Sequence, residues 1–100
     1  MDARLLVRRR VAISDAAFAE LVVWQLPSPV RGSAHSFKYR LAFVRNERCV
    51  MRFDNEAGKG DHMHLDDREY PYAFTTIDRL LKDFLARVRE LEDENAQGQD

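Results

Sequence analysis

The sequence is short of the residues that mark disulfide-rich, membrane-spanning or low-complexity chains. It has a single cysteine, Cys49, which excludes an intrachain disulfide and fits a reducing cytoplasm. Its longest apolar runs are four residues, far below the roughly 20 that a membrane-spanning helix needs. Only four glycines and three prolines occur, and 45% of the residues are hydrophobic, which argues against general disorder. We therefore expect one cytoplasmic domain, residues 1–92, and a disordered acidic tail, residues 93–100.

The chain has almost no net charge, but its two halves differ strongly. The formal total is −1, yet residues 1–52 carry +6 and residues 53–100 carry −7. A chain divided in this way presents a candidate surface for an anionic ligand and a separate acidic region. The weakly acidic average therefore does not exclude a nucleic-acid partner.

Alternating hydrophobicity predicts strands over residues 3–14, 18–26, 37–44 and 49–54, and a short fifth strand over 62–65 is compatible with the pattern. Thr75 is the predicted N-cap of a helix with one apolar stripe that runs from Ile77 to Leu91. Successive strands separated by short turns favour antiparallel pairing. The predicted fold class is α+β: a four- or five-stranded antiparallel meander with a C-terminal helix packed on one face.

The same alternation divides the side chains between the two faces of this sheet. We expect the helix to cover an apolar side that contains Leu5, Val7, Phe37, Tyr39, Leu41, Met51 and Phe53, with Cys49 also in the core. The opposite side then holds five basic residues: Arg8, Arg10, Lys38, Arg40 and Arg52. Cross-strand neighbours lie about 5 Å apart, so these residues form a candidate nucleic-acid-binding patch. A merely solvated polar face is the simpler alternative.

The densest polar segment is residues 54–64, which ends in the pair His62 and His64. Two histidines two residues apart share one face of an extended chain and suit two kinds of chemistry. They can act as general acid and base on a phosphodiester, because imidazole titrates near neutral pH. They can also ligate a divalent metal, with Asp54, Glu56 or Asp61 completing the site.

The catalytic reading assigns a role to each polar residue of this segment. His62 and His64 are the candidate acid and base, and Lys59, between two glycines, would stabilise charge on the phosphate. Asp54, Glu56 and Asp61 would orient the imidazoles. No cofactor is expected; a metal, if one is used, would be held by His62, His64 and Asp61. The histidine pair is a weak signal by itself, and solvated loop histidines are the alternative. His35 is expected at the surface, and the alternative is that it reaches the site across strands.

Three segments also resemble one known family. They are Ser33–Leu41, Phe53–His64 and Tyr70–Phe74, and the run D-N-E-x-G-K-G-D-H-x-H within the second is the most specific. These segments resemble the TumE-type toxins of bacterial toxin–antitoxin modules, over about residues 4–88. The resemblance implies a cytoplasmic toxin that inhibits growth and is neutralised by a helix-turn-helix antitoxin.

Together, the residues and the resemblance predict a toxin directed against RNA, with metal-independent endoribonuclease activity as the leading hypothesis. The alternative is a non-catalytic module that binds nucleic acid or protein and acts by occupying its target. An accessory interaction domain without toxicity is a third reading. A homodimer and a toxin–antitoxin hetero-oligomer are both compatible with the sequence, and no membrane partner is expected.

Overall fold

Six antiparallel strands follow one another along the chain and pair in the same order, β1-β2-β3-β4-β5-β6. A computed structural model describes residues 2–98. The strands are β1 (Arg4–Ser14), β2 (Ala17–Gln25), β3 (Phe37–Arg45), β4 (Arg48–Glu56), β5 (Gly60–Leu65) and β6 (Arg68–Pro71), followed by helix α1 (Ile77–Gln97). The predicted α+β meander with a C-terminal helix is therefore confirmed.

The strand count was underestimated, because the sheet has six strands rather than four or five. The missed strand is β6, whose four residues are all exposed and therefore show no alternation. Its turn depends on Asp66, which has a φ of 55°. Aspartate is one of the few residues other than glycine that adopts this left-handed conformation readily.

Two bulges shift side chains to the face opposite the predicted one. The β1–β2 pairing skips Leu6, so that Leu5 pairs with Trp24 on the side away from α1. The β3–β4 pairing skips Val50, so that Cys49 pairs with Val44 and is exposed. The expectations that Leu5 and Cys49 face the core were therefore wrong, because a bulge inserts one unpaired residue and reverses the alternation beyond it.

Helix α1 begins one residue later and ends later than predicted. Its N-cap is Thr76 rather than Thr75, and the Thr76 side chain accepts a hydrogen bond from the backbone N–H of Arg79. The helix continues to Gln97, so residues 93–97 are helical rather than part of a disordered tail; residues 99 and 100 lie outside the described residues. Arg45 on β3 donates to the Leu91 carbonyl (3.1 Å) and to Glu92 (2.8 Å), which holds this last part of the helix to the sheet.

The helix packs on one face of the sheet and forms the core there. Leu80, Phe84 and Val88 are its buried residues, and the ring of Phe84 meets that of Phe53 edge-on at 5.6 Å. Burial of side chains of this size contributes about 1.5–3 kcal/mol each. We call the sheet face opposite α1 the open face. Within residues 2–98, no helix is long and apolar enough to cross a membrane.

Candidate functional site

The strand pairing brings the five predicted basic residues and both histidines of the polar segment onto the open face. One cross-strand row runs from Arg8 through Val22, Arg40 and Asp54 to His62. The next row contains Arg10, Glu20, Ala42, Arg52 and His64. Residues from five strands therefore share one surface, on which Arg52 neighbours His64 while Arg40, Arg8 and Arg10 lie farther along the sheet.

The centre of this surface is the Asp54 cluster, which consists of Asp54, His62, His64 and Arg52. The Asp54 Oδ1 atom lies 2.7 Å from His62 Nε2 and 3.9 Å from His64 Nε2. The other carboxylate oxygen of Asp54, Oδ2, accepts a hydrogen bond from Arg52 Nε at 2.7 Å. The two imidazole rings are 4.6 Å apart and nearly perpendicular. Both ring nitrogens therefore approach the same carboxylate oxygen.

The members of this cluster differ in their access to solvent. Residues Asp54 and His62 are only 6% and 3% exposed, whereas the His64 side chain is 26% exposed. The Nδ1 atom of His62 donates to the Gly60 carbonyl at 3.0 Å, which fixes its ring orientation. A substrate on the open face therefore reaches His64 more directly than His62.

Three buried atoms of the cluster lack hydrogen-bond partners within residues 2–98: Asp54 Oδ1, His62 Nε2 and His64 Nε2. The close approach of His62 Nε2 to Asp54 Oδ1 is thus a contact without hydrogen-bond alignment. Buried polar atoms without partners are costly and are rare in folded proteins. The cluster therefore holds three converging polar atoms whose missing contacts a bound group can supply.

A groove of about 370 Å³ lies beside the cluster on the open face. Its lining includes Trp24, Lys38, Arg40, Arg52 and Glu56, as well as Asp54. Trp24 is 36% exposed and contributes its indole ring to this groove. An exposed aromatic ring beside cations is the arrangement on which nucleic-acid bases stack.

The structure does not bring Asp61 to the two histidines. Asp61 belongs to the helix side of the sheet, where its carboxylate accepts hydrogen bonds from Ser33 Oγ (2.8 Å), Tyr39 Oη (2.7 Å) and His35 Nε2 (2.6 Å). Adjacent strand residues point to opposite faces, which separates Asp61 from His62. Asp54, rather than Asp61, is therefore the carboxylate beside His62 and His64.

Ser33, His35, Tyr39 and Asp61 form a second cluster, the Asp61 cluster, whose hydrogen bonds are complete. The Nδ1 atom of His35 accepts from the Phe37 N–H at 3.1 Å, so Nε2 carries the proton that His35 donates to Asp61. The ring of His35 also stacks on Phe74 at 3.8 Å. His35 is therefore half-buried and held in place, rather than a surface residue as first read.

The Asp61 cluster also changes the acidity of Tyr39. Burial, and then the hydrogen bond to the Asp61 carboxylate, raise the pKa of Tyr39 well above its usual range. The neutral phenol donates to a carboxylate, and its ionisation would place two negative charges side by side. Tyr39 therefore remains protonated as a structural donor.

Gly58 and Gly60 of the polar segment contact a neighbouring loop of the protein, so their role is in packing rather than in binding a phosphate. Gly58 N–H donates to the Arg31 carbonyl at 2.6 Å, and a side chain at Gly60 would lie 2.9 Å from the Gly32 carbonyl oxygen. Gly60 has a φ of 78°, in the left-handed region. These glycines therefore allow the loop over residues 26–36 to contact the β4–β5 turn.

Lys59 and Glu56 lie at the rim of the open face. The Lys59 Nζ atom is 3.7 Å from Glu56 Oε2, and both side chains are at least half exposed. Within residues 2–98, these two side chains form an ion pair with each other and with neither histidine. They are available to a ligand in the groove, but they do not orient the imidazoles.

Two residues near the site were missed by sequence reasoning. Trp24 falls within the predicted strand over residues 18–26 without a functional role, whereas its pairing with Lys38 places it on the open face. Glu69, whose Oε1 lies 3.8 Å from His62 Nδ1, belongs to the missed strand β6. The position of Trp24 follows from alternation along β2, whereas nothing in the sequence pairs Glu69 with the histidines.

Comparison with known proteins identifies one family. A family model described as Toxin TumE matches residues 2–92. Neither the curated proteins nor the solved structures contain a match to this chain. The matched region covers all six strands and most of the helix, including every residue of the Asp54 cluster.

Proposed function

The chain belongs to the TumE toxin family, and we propose that it inhibits growth by cleaving RNA at the Asp54 cluster. The observation that carries this proposal is the single surface formed by Arg8, Arg40, Asp54 and His62 in one cross-strand row. Arg52, which pairs with His64, lies directly beside the imidazoles, and Arg40 and Arg8 lie two and four strands from His62 along the same face, where they would bind a phosphate backbone. Phosphate contacts supply most of the affinity in such complexes.

The open face offers separate contacts for the backbone and for a base. Within residues 2–98, Arg8 and Arg40 make no ion pair with an acidic side chain, so their guanidinium groups are available to phosphates. Trp24 provides an exposed ring in the adjoining groove. Stacking of one base on an aromatic side chain contributes about 1–3 kcal/mol. A single-stranded RNA therefore fits this surface better than a duplex, whose bases are already stacked.

The proposed reaction is attack of a ribose 2′-hydroxyl on the adjacent phosphorus. The 2′ oxygen bonds to phosphorus and its proton passes to one imidazole of the pair, while the bond from phosphorus to the 5′ oxygen breaks. The other imidazole, in its protonated form, donates a proton to the 5′ oxygen, which leaves a 2′,3′-cyclic phosphate and a 5′-hydroxyl. His64, the more exposed imidazole, would be the nearer of the two to a phosphate bound on the open face, with Asp54 and His62 more deeply buried. Arg40 and Lys59 would stabilise the charge that develops on the phosphate oxygens.

Growth inhibition of this kind requires a means of neutralisation. We propose a helix-turn-helix antitoxin as the partner and the cytoplasm as the place of action, where RNA is the target. An antitoxin that covers the open face would block both the arginines and the Asp54 cluster. The toxin alone as a homodimer and the toxin in a hetero-oligomer with the antitoxin remain the two proposed assemblies.

The test uses a charge reversal with a control in the neighbouring position. Arg8 and Arg9 are adjacent on β1, but their pairing with Val22 and Leu21 places them on opposite faces. We expect the double variant Arg8→Glu/Arg40→Glu to bind a single-stranded RNA oligonucleotide at least about 10-fold more weakly and with a smaller salt dependence. Arg9→Glu should bind as the wild type does.

The same proteins separate cleavage from occupation of a target. Purified wild type should cut the oligonucleotide, and His62→Ala/His64→Ala should bind it without cutting and should lose growth inhibition on induced expression. If this double histidine variant is folded and still fully toxic, RNA cleavage at this cluster is wrong and the non-catalytic alternative is favoured. If Arg9→Glu weakens binding as much as the open-face variant does, the open face is not the RNA surface.

A further inference from the structure

We propose that Asp54, His62 and His64 bind one divalent transition-metal ion, of the class to which Zn²⁺ belongs. One ligand atom from each of the three residues lies within 4.8 Å of the other two. This spacing is close to that of three atoms that each stand about 2.0–2.2 Å from a common ion. Atoms bound to one ion at about 2.0–2.2 Å in tetrahedral geometry lie roughly 3.5 Å apart, so ion binding would separate the 2.7 Å pair of Asp54 and His62 and draw the 3.9 Å pair of Asp54 and His64 together.

The hydrogen bonding of His62 determines which atom faces the carboxylate. Nδ1 lies 3.0 Å from the Gly60 carbonyl oxygen, which can only accept, so the proton of the neutral ring is on Nδ1. The unprotonated Nε2 then points its lone pair toward Asp54 Oδ1 at 2.7 Å. Two lone pairs at this distance repel each other unless a cation lies between them. The contact lacks hydrogen-bond alignment, which favours a metal ion over a shared proton.

The surroundings of these ligands resemble the outer shell of metal sites. A histidine ligand commonly donates its other ring N–H to a backbone carbonyl, as His62 does to Gly60. A ligating carboxylate is commonly held by a further hydrogen bond, as Asp54 Oδ2 is by Arg52 Nε at 2.7 Å. Both contacts fix the direction of the ligand atoms before any ion binds.

The donor set indicates the class of metal. Two imidazole nitrogens and one carboxylate oxygen suit Zn²⁺ and its first-row neighbours, whereas Mg²⁺ prefers oxygen ligands and retains its water. Three protein ligands leave at least one coordination position for water, as in catalytic zinc sites. The His64 side chain is 26% exposed, so solvent reaches the edge of the cluster on the open face.

The proposal that the ion binds depends only on the geometry of the three ligands. A role of the ion in RNA cleavage depends in addition on the proposed function. A zinc-bound water has a pKa of about 7 and is a base or nucleophile at neutral pH. Hydroxide bound to the ion, rather than an imidazole, would then accept the proton of the 2′-hydroxyl. The expectation of a metal-independent enzyme would then be wrong, and the expected ligand Asp61 would be replaced by Asp54.

The experiment titrates tag-free, metal-stripped full-length protein with Zn²⁺ alone in a calorimeter. All proteins carry Cys49→Ser, so that the exposed Cys49 thiol does not compete for Zn²⁺. We expect one Zn²⁺ per chain, a melting temperature that rises with Zn²⁺, and no comparable response to Mg²⁺. His64→Gln and Asp54→Asn should each weaken Zn²⁺ binding by about 100-fold or more, beyond the 10- to 100-fold that loss of an outer-shell contact costs.

His35→Gln is the matched control, because His35 also contacts a carboxylate but has no unpartnered ring nitrogen among the described residues. It should bind Zn²⁺ as the parent does. The proposal is overturned if the parent binds no Zn²⁺ at 100-fold excess, or if His64→Gln and His35→Gln bind it equally. Zinc binding without RNA cleavage would refute only the proposed function, and cleavage by protein that binds no metal would refute only this inference.

Discussion

The two carboxylate–histidine clusters lie on opposite faces of the same sheet and differ in how completely their hydrogen bonds are made. Asp61 accepts from Ser33, His35 and Tyr39, and both ring nitrogens of His35 have partners. At the Asp54 cluster, by contrast, one carboxylate oxygen and two imidazole nitrogens have no hydrogen-bond partner among residues 2–98. Similar residue types therefore form a closed network on one face and an open set of converging atoms on the other.

One segment, residues 54–64, contributes residues to both clusters, so it serves the stability of the fold on one face and the candidate site on the other. The segment over residues 54–64 contributes Asn55, Gly60 and Asp61 to the contacts that hold the loop over residues 26–36. The same segment contributes Asp54, His62 and His64 to the open face. A satisfied buried network stabilises the fold, whereas buried polar atoms without partners persist at a cost and are typical of functional sites.

The largest expected effect on stability comes from the Asp61 cluster. Asp61→Asn removes the charge that accepts three hydrogen bonds and places an amide beside their donors. Hydrogen bonds to charged groups contribute about 1.5–3 kcal/mol each, so we expect a loss of about 3 kcal/mol in the free energy of unfolding by urea. A loss below 1 kcal/mol would remove the structural role assigned to this cluster.

A smaller loss is expected where the loop contacts the β4–β5 turn. In Gly60→Ala, the new Cβ lies 2.9 Å from the Gly32 carbonyl oxygen, and the backbone φ of 78° is unfavourable for alanine. We expect a decrease of about 2 kcal/mol in the free energy of unfolding. Gly98→Ala is the control, because its Cβ meets only ordinary contacts at 3.4 Å or more and should change stability little. Equal effects of the two substitutions would contradict this packing.

The Asp61 cluster should also make stability depend on alkaline pH. The folded pKa of Tyr39 is raised above the ordinary value of 10.0 by burial and by its hydrogen bond to Asp61, with Tyr72 and Asp54 adding negative charge nearby. The unfolded chain therefore loses this proton first, and stability falls as pH rises above about 10, by at most about 1.4 kcal/mol per pH unit. Urea unfolding from pH 8 to 11 should show a shallower fall for Tyr39→Phe.

Tyr72 provides a comparison for that titration. Burial raises the pKa of Tyr72 as well, and so does its hydrogen bond to Asp83. Asp83 belongs to helix α1, so this tyrosine is separate from the Asp61 cluster. Tyr72→Phe should flatten the pH dependence separately, and the two substitutions together should flatten it further. A pH dependence in Tyr39→Phe as steep as in the wild type would show that Tyr39 ionises normally in the folded protein.

Alternation along the strands was sufficient to predict the basic surface. Arg8, Arg10, Lys38, Arg40 and Arg52 share one face because strand side chains repeat every two residues. The same rule puts Asp61 and His62 on opposite faces, because they are neighbours in one strand. The prediction that Asp61 lies beside the histidines was therefore inconsistent with alternation. Alternation fails at Leu5 and Cys49, where single-residue bulges reverse it.

The remaining parts of the site depend on contacts between segments that are distant in the sequence. The Asp61 cluster exists because the loop over residues 26–36 brings Ser33 and His35 to β5, at separations of 28 and 26 residues. Nothing local in either segment specifies that contact. Glu69 reaches His62 only through the pairing of β6, a strand whose exposed side chains show no periodic pattern.

The most direct test of the central claim measures one variant in two ways. Asp54→Asn keeps the size of the side chain and removes the charge at the centre of the open face. We expect this variant to unfold in urea within about 1 kcal/mol of the wild type, yet no longer to inhibit growth when expressed. An Asp54→Asn protein that remains toxic, or one whose loss of toxicity accompanies unfolding as large as that of Asp61→Asn, would contradict the assignment of function to the Asp54 cluster.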